Sequence, residues 1–242
     1  MQRGRVRTYA EMAACLFLCL IISFYGYSYL GSEETMPAAA GLVPAAVLPP
    51  AAGGNAPAGG APGVVVVNKS IPLADASRPQ DLADAGGVPL RAEAADAYSR
   101  MVADAAAAGV RISAISAFRS RDEQARLYEY YTARYGSEVA DSISARPGHS
   151  EHETGLAIDI GNPDGTCALE RCFAGTAAGT WAAANGHLYG FVIRYPAGAE
   201  SITGYAYEPW HLRYVGAEYA RKVFETGVTL EQFAGLPAAP GY

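Results

Sequence analysis

The sequence has little charge, few cysteines and no excess of basic residues, and each shortage excludes a class of protein. Charged residues make up 17% of the 242 residues and the formal net charge is -6. Because nucleic-acid-binding proteins normally carry a basic patch or stripe, we expect no nucleic-acid partner. Four cysteines are too few for a small fold built on disulfides. Hydrophobic residues at 50% are enough for a real core.

Residues 12–30 contain no charged side chain and are close to the roughly 20 residues that a helix needs to cross a bilayer. Residues 1–11 carry three arginines, which favour a cytoplasmic N-terminus and place the rest of the chain outside the cytoplasm. A cleavable signal is the alternative, since "AAAG" at 38–41 resembles a cleavage site. The run is longer than a usual signal core, so we favour an uncleaved, single-pass anchor in the cell membrane.

Residues 31–63 form an Ala/Pro/Gly-rich segment without an aromatic side chain. Such a composition is typical of a flexible, disordered linker, with an end-to-end distance of ~30 Å for this length. The sequence therefore predicts that residues 64–242 form an extracytoplasmic domain tethered to a membrane.

The domain alternates helical and strand-like patterns. The predicted strands are a short run ending near Asn68 and residues 110–116, 191–196 and 210–214, and the predicted helices are residues 90–109, a helix from Ser120 to Gly136, residues 176–187 and a helical pair over 216–233. The elements lack a βαβ rhythm, and we expect an α+β fold with a central antiparallel sheet flanked by helices.

The stretch "GHSEHETGLAID" at 148–159 concentrates side chains that bind metals. On a helix, His152 and Asp159 would lie ~10 Å apart, too far to share an ion easily. Gly155 allows a bend between them, because glycine adopts backbone angles closed to other residues. "LAIDI" at 156–160 then predicts a strand with Asp159 facing away from its aliphatic side chains.

A metal site needs a third ligand, and His211 in "EPWH" is the candidate. Pro209 disfavours helical angles at Glu208, which predicts a turn or the start of a strand. A catalytic zinc ion takes three protein ligands and a water, and a neighbouring carboxylate such as Glu208 acts as general base.

Two motifs carry a family resemblance. The pattern "SxHxxGxAxD" is formed here by Ser150, His152, Gly155, Ala157 and Asp159, and it is followed by "EPWH" at 208–211. With "SAFRSRDEQ" at 116–124, these motifs are similar, in order, to those of the zinc D-alanyl-D-alanine carboxypeptidases of the VanY type. Family members often have Gln where this chain has Glu153, a peripheral difference.

The resemblance implies a hedgehog/DD-peptidase-like fold and one zinc ion (Zn2+) per domain. It implies His152, Asp159 and His211 as zinc ligands and Glu208 as catalytic base. It also implies Arg119 as the group that binds the C-terminal carboxylate of the substrate, which an arginine fork contacts bidentately.

Further residues receive less specific predictions. The resemblance suggests Ser116, Gln124 and Ser150 as accessory substrate contacts, although Ser116 and Gln124 are equally compatible with a strand end and a helix face. His149 either contacts substrate or orients a neighbouring group, and His187 is structural. Tyr205, Tyr207 and Trp210 line the substrate cleft or pack in the core.

Cys167 and Cys172 lie close together in a domain predicted to be extracytoplasmic, where disulfides persist. We therefore expect them to form a disulfide. A metal site containing these cysteines is the weaker alternative, because no second pair completes it.

The function implied by the resemblance is removal of the C-terminal D-alanine from peptidoglycan stem peptides. An LD-carboxypeptidase acting on tetrapeptide stems shares the motifs and remains an alternative. A non-catalytic, zinc-containing peptidoglycan-binding module is a third, but such a module would lack the base or a ligand, and here none is missing.

Overall fold

A computed structural model describes residues 64–74 and 78–242. The predicted cytoplasmic segment 1–11, the membrane anchor 12–30 and the linker 31–63 lie outside the described residues. Among the helices of 64–74 and 78–242, none is both long and apolar enough to span a bilayer.

The described chain has the predicted α+β composition. Its strands are β1 (Leu82–Asp84), β2 (Pro89–Arg91), β3 (Ser113–Ser116), β4 (Ala157–Gly161), β5 (Phe191–Ile193) and β6 (His211–Tyr214). Its α-helices are α1 (Ala92–Ala107), α2 (Arg121–Tyr135), α3 (Ser137–Ile143), α4 (Ala177–Asn185), α5 (Glu200–Thr203), α6 (Ala217–Thr226) and α7 (Leu230–Phe233). Three 3-10 turns cover Glu151–Thr154, Arg171–Gly175 and Gly186–Tyr189.

The central sheet has four antiparallel strands in the order β3-β4-β6-β5, and β1 and β2 form a separate hairpin. Strand β4 lies inside the sheet, where Asp159 pairs with Ser116 of β3 on one side and with His211 of β6 on the other. The strand register therefore brings two predicted zinc ligands next to each other, although they are far apart in the sequence.

The two faces of the sheet have different environments because strand side chains alternate. Ile158 and Ile160 of β4 and Leu212 of β6 pack in the main hydrophobic core. The buried side chains that α1 contributes to this core are Ala94, Ala95, Ala97, Tyr98, Met101 and Ala105. Asp159 and His211 occupy the alternate positions, so they project on the opposite face.

Helix α2 begins where the sequence predicts. The Ser120 side chain accepts a hydrogen bond from the Glu123 backbone N–H, and the Glu123 carboxylate accepts from the Ser120 backbone N–H. This capping box stabilises the helix by about 1 kcal/mol. It also fixes the backbone directly after Arg119.

The predicted strand ending near Asn68 is wrong, because residues 64–68 are not assigned to a strand and pair with none of the strands in the described chain. Their carbonyl groups bind side chains instead: Val65 accepts from Arg213 at 2.5 Å and Val67 from Arg194 at 3.5 Å. The β1–β2 hairpin and the helices α3 and α5 were not predicted. The predicted disulfide between Cys167 and Cys172 is confirmed.

Candidate functional site

His152, Asp159 and His211 form a buried cluster whose potential ligand atoms all lie within 4.8 Å of one another. The Asp159 carboxylate lies between the two rings: Oδ2 is 3.3 Å from His152 Nε2, and Oδ1 is 3.1 Å from His211 Nδ1. The prediction that these three residues meet is therefore confirmed. We refer to them as the metal cluster.

The turn that carries His152 reverses the chain in a short space. Glu151–Thr154 form the 3-10 turn, and Gly155 ends it in the left-handed conformation at φ 68°. A Cβ atom at position 155 would lie 3.0 Å from Cγ of Arg91, so a larger residue would be both strained and crowded. This confirms the predicted bend and directs the chain into β4.

Neighbouring groups orient two of the three side chains. His152 Nδ1 is 2.6 Å from the Ala117 carbonyl, to which it donates, so that Nε2 keeps its lone pair. Ser116 Oγ donates to Asp159 Oδ2 at 2.7 Å. Ser116, predicted as a substrate contact, thus supports a metal-cluster carboxylate, and its contact with substrate stays a prediction.

The electrostatics of the metal cluster favour a cation between the side chains. Burial disfavours the ionised form of Asp159, but both histidines outweigh it and hold the pKa of this carboxyl well below its usual range. Burial likewise opposes protonation of His211, yet Asp159 and Glu151 raise its pKa to about 10. Burial lowers the pKa of His152. The metal cluster thus stabilises a positive charge next to the Asp159 carboxylate.

A zinc ion suits this set of donors. Imidazole nitrogen and carboxylate oxygen are common zinc ligands, and three of them leave a position for water or substrate. Among the described residues, the buried Asp159 Oδ1 makes no well-aligned hydrogen bond, even though His211 Nδ1 is 3.1 Å away, and a bound cation would satisfy this oxygen. His152 through Nε2, Asp159, and His211 through Nδ1 would hold the ion.

Glu208 lies at the edge of the metal cluster. Its Oε2 is 3.8 Å from His211 Nδ1, and its side chain is 19% exposed. Burial raises the pKa of Glu208 to about 7, helped by Asp159 and Glu151 and opposed by His211. A carboxyl group of this pKa can accept and release a proton near neutral pH, as a general base must.

Arg119 approaches the metal cluster from β3. Its backbone N–H donates to the His152 carbonyl at 3.2 Å, and its guanidinium lowers the pKa of His152. Nη1 donates to Gln124 Oε1 at 2.7 Å, and Gln124 Nε2 donates to Ser144 and Ala145. The Gln124 amide is thus bonded within the protein and holds the half-buried guanidinium. The predicted contacts of Arg119 and Gln124 with substrate stay predictions.

The remaining predicted residues surround this centre. Ser150 is buried directly before the 3-10 turn. His149 Nδ1 is 2.8 Å from the Asn68 carbonyl. Tyr205 packs on Tyr195, whose ring is 5.0 Å from that of His211. These ring contacts place Tyr195 and Tyr205 next to the metal cluster, and the predicted contact of Tyr205 with substrate stays a prediction.

Three predicted residues have structural contacts. Glu153 accepts from Arg121 at 3.1 Å and from the Gly148 N–H at 2.7 Å. His187 stacks on Phe224 with ring centroids 3.7 Å apart, in agreement with the predicted structural role. Trp210 packs against the main core. Tyr207 is half-buried, and its predicted place in the cleft wall stays untested.

Sequence reasoning missed a second group of buried charges beside the metal cluster. It consists of Glu151, Arg194, Arg213 and Glu231, whose side chains are at most 1% exposed. A signal was present, since Arg194 and Arg213 interrupt the otherwise apolar strand patterns "FVIRY" and "HLRY". A charge inside such a pattern needs a buried partner.

The family model for D-alanyl-D-alanine carboxypeptidase VanY matches residues 87–217, which include every proposed ligand and the base. YodJ of Bacillus subtilis (strain 168) is 42% identical over 144 residues, covering 60% of this chain. The matched region is 53% of YodJ, so the chain spans about half the length of that relative.

Two solved structures are similar in sequence and fold. The LD-carboxypeptidase LdcB has a TM-score of 0.65 at 38% identity, covering 69% of this chain and 83% of LdcB. A vancomycin-resistance D,D-pentapeptidase VanY in complex with Zn(II) has a TM-score of 0.61 at 30% identity, covering 70% of this chain and 97% of VanY. Together with the family match, these likenesses show that the chain belongs to the VanY family of D-alanyl-D-alanine carboxypeptidases.

Proposed function

We propose that the domain is a zinc-dependent D-alanyl-D-alanine carboxypeptidase that trims the C-terminal D-alanine of peptidoglycan stem peptides. One observation carries this proposal: a buried His152–Asp159–His211 cluster lies beside the carboxyl group of Glu208, whose Oε2 is 3.8 Å from His211 Nδ1. The family model and the zinc-bound VanY structure support the same activity.

The residues divide the work of peptide hydrolysis. A bound zinc ion supplies a Lewis acid for the scissile carbonyl and lowers the pKa of its water. Glu208 accepts a proton from the attacking water and passes it to the amine of the leaving D-alanine. Arg119 binds the terminal carboxylate through its guanidinium, which restricts cleavage to the last peptide bond.

An LD-carboxypeptidase is the second candidate, and a specific observation favours it. The LdcB structure is 38% identical to this chain, whereas the zinc-bound VanY structure is 30% identical. The two activities differ in the residue before the scissile bond, which is D-alanine in a pentapeptide stem and an L-configured centre in a tetrapeptide stem.

Defined stems test both candidates. The purified full chain is analysed for zinc and then incubated with pentapeptide and tetrapeptide stems, and the released amino acid is identified by mass spectrometry. We expect one zinc ion and release of D-alanine mainly from the pentapeptide. Release mainly from the tetrapeptide would establish the second candidate, and bound zinc without release from either stem would indicate a non-catalytic module.

We further propose that residues 12–30 anchor the domain in the cell membrane and that the domain faces away from the cytoplasm. The support is the uncharged run after the arginine-rich N-terminus and the Ala/Pro/Gly-rich linker behind it. Protease added outside intact spheroplasts should digest the domain while a cytoplasmic marker survives. Complete protection of the domain would contradict this topology.

A further inference from the structure

Four buried charges lie directly behind the metal cluster, and we call Glu151, Glu231, Arg194 and Arg213 the arginine–glutamate network. Arg194 Nε donates to Glu151 at 2.8 Å, and its Nη1 and Nη2 donate to Glu231 at 2.9 and 2.5 Å. Arg213 Nη1 donates to Glu151 at 2.7 Å. The two positive and two negative charges balance, which buried ions require.

The two carboxylate oxygens of Glu151 have different surroundings. Oε1 accepts from both arginines. Within residues 64–74 and 78–242, the buried Oε2 has no hydrogen-bond partner, and it lies 3.6 Å from His211 Nε2, which is also buried and unpartnered there. Two complementary polar atoms that face each other and have no other partner point to a contact between them.

We propose that Glu151 is a positioning residue for the zinc ligand His211, accepting a hydrogen bond from His211 Nε2–H at its Oε2. This inference rests on the proposed zinc site. A proton fixed on Nε2 leaves Nδ1 as the nitrogen with a free lone pair, and Nδ1 is the atom that faces Asp159 at 3.1 Å. The Ala117 carbonyl has the corresponding effect on His152: it accepts from Nδ1–H and so leaves Nε2 as the nitrogen with a free lone pair.

The network explains how a carboxylate remains ionised at this position. A lone carboxylate with no exposed surface would take up a proton rather than stay charged, because burial penalises the ion. Arg194 and Arg213 both donate to Oε1, so they keep Glu151 charged and also fix its rotation about the last side-chain bond. Oε2 is thereby held toward His211.

Glu231 provides a matched control for Glu151. It is also fully buried and also paired with Arg194, and it accepts from Asn68 at 3.2 Å. Among the described residues, its hydrogen bonds and ion pairs involve Asn68 and Arg194 and no member of the metal cluster. Substitution of either glutamate is thus expected to reduce stability, whereas only substitution of Glu151 removes a contact with a zinc ligand.

The substitution Glu151→Gln separates the two roles. The two arginines require an acceptor, so the Gln oxygen should face them and its NH2 group should face His211 Nε2. An NH2 group only donates, so His211 would have to accept at Nε2 and carry its proton on Nδ1, where it opposes zinc. We therefore expect zinc affinity to fall about 10–100-fold.

The experiment compares the full chain, Glu151→Gln and Glu231→Gln by competition with a zinc chelator and by NMR with 15N-labelled histidine. The expected result is weaker zinc binding and a changed His211 tautomer in Glu151→Gln alone. Equal zinc affinity for Glu151→Gln and the parent would overturn the proposal. An equal fall in both variants would also overturn it, because the effect would then be structural.

The parent protein gives a second test that does not depend on folding of the variants. With zinc bound, its NMR spectrum should show a slowly exchanging His211 Nε2–H, and a His211 ring protonated on Nδ1 would overturn the proposal. Both readouts concern zinc and not substrate. Failure of the proposed function would instead appear as normal zinc binding without release of D-alanine.

Discussion

The arginine–glutamate network and the metal cluster are adjacent, similarly buried groups of charges, but they are completed in different ways. In the network, the positive and negative charges balance within the protein, and the single guanidinium of Arg194 donates to both carboxylates, Glu151 and Glu231. In the metal cluster, Asp159 Oδ1 has no hydrogen-bond partner in the described part of the chain, and burial raises the pKa of the neighbouring Glu208 to about 7. The charges of the network thus balance within the described chain, whereas the metal cluster needs a cation from outside it.

This difference indicates opposite consequences for stability and activity. Removing one partner from a balanced, buried ion group leaves an uncompensated charge, so changes in the network should reduce stability. At the metal cluster, the carboxyl groups of Asp159 and the neighbouring Glu208 lie 3.1 and 3.8 Å from the same atom, His211 Nδ1, an arrangement that is retained for function and does not favour folding. Changes there should reduce activity while the fold remains stable.

Glu208→Gln should have the largest effect on activity. Turnover should fall by roughly 10²–10⁴-fold, the scale of general-base catalysis, because the amide cannot accept the proton of the attacking water. Zinc should remain stoichiometric, and the thermal midpoint without zinc should be unchanged or higher, since a carboxyl near Asp159 is removed. Steady-state kinetics, metal analysis and thermal unfolding measure these quantities.

The exposed Glu200, in the same part of the chain, supplies the control, and Glu200→Gln should behave like the parent. An active Glu208→Gln enzyme would show that another residue is the general base. It would also contradict the expectation that changes at the metal cluster and its edge mainly reduce activity.

Arg213→Met tests the other side of the comparison. It removes a donor to the buried Glu151 carboxylate and to the Val65 carbonyl, which is only partly buried. We expect the free energy of unfolding to fall by ~3–5 kcal/mol, the usual result of breaking a buried ion pair. Urea unfolding of the parent, Arg213→Met and the exposed-site control Arg111→Met provides the measurement. A loss below about 1 kcal/mol would mean that the network does not stabilise the fold.

Arg119→Ala should have a smaller effect that depends on the substrate. Loss of a hydrogen-bonded charge partner at a binding site reduces kcat/KM by the equivalent of ~2–5 kcal/mol. Amidation of the substrate C-terminus should therefore impair the parent much more than Arg119→Ala. Arg126→Ala, at an exposed position of α2, is the control. If amidation impaired both enzymes equally, Arg119 would not be the carboxylate-binding group.

The sequence predicted the metal cluster better than its surroundings, for physical reasons. Gly155 and the alternation in "LAIDI" are local signals, so the bend and the orientation of Asp159 followed from them. The contact of Glu151 with Arg194 and Arg213 joins residues 43 and 62 positions apart, and only the strand order brings them together. Local patterns do not contain that order.

The wrong strand before Asn68 has a related cause. A run of valines has high strand propensity, which reflects how such side chains pack on a pleated surface. Here residues 64–68 lie over the buried arginines, and their carbonyls accept from guanidinium groups and not from a neighbouring strand. The hydrogen bonds that the two buried arginines require therefore outweighed the local strand propensity of the valines.

Substitution of His187 has the smallest expected effect on stability and activity. This residue also shows that a buried, unpaired polar atom is not enough to identify a metal site. Among the described residues, its buried Nδ1 has no hydrogen-bond partner, as is also true of Asp159 Oδ1 and His211 Nε2. Its ring, however, stacks on Phe224 and does not belong to the metal-binding group found in the described chain. An unpaired atom alone therefore does not define a zinc site. Burial and the nearby Arg221 lower the pKa of His187, against a smaller opposing effect of Glu225.

Because this pKa is lower in the folded chain, the unfolded chain takes up the proton first as the pH falls. The contribution of His187 to stability is therefore present above the usual histidine pKa of about 6.5 and declines below it. NMR titration should show His187 titrating below that value with or without zinc, while zinc suppresses the titration of His152 and His211. His187→Gln should remove only its small share of the pH dependence of unfolding. A zinc-induced change in the His187 titration would place a ligand outside the metal cluster and would contradict the three-ligand assignment.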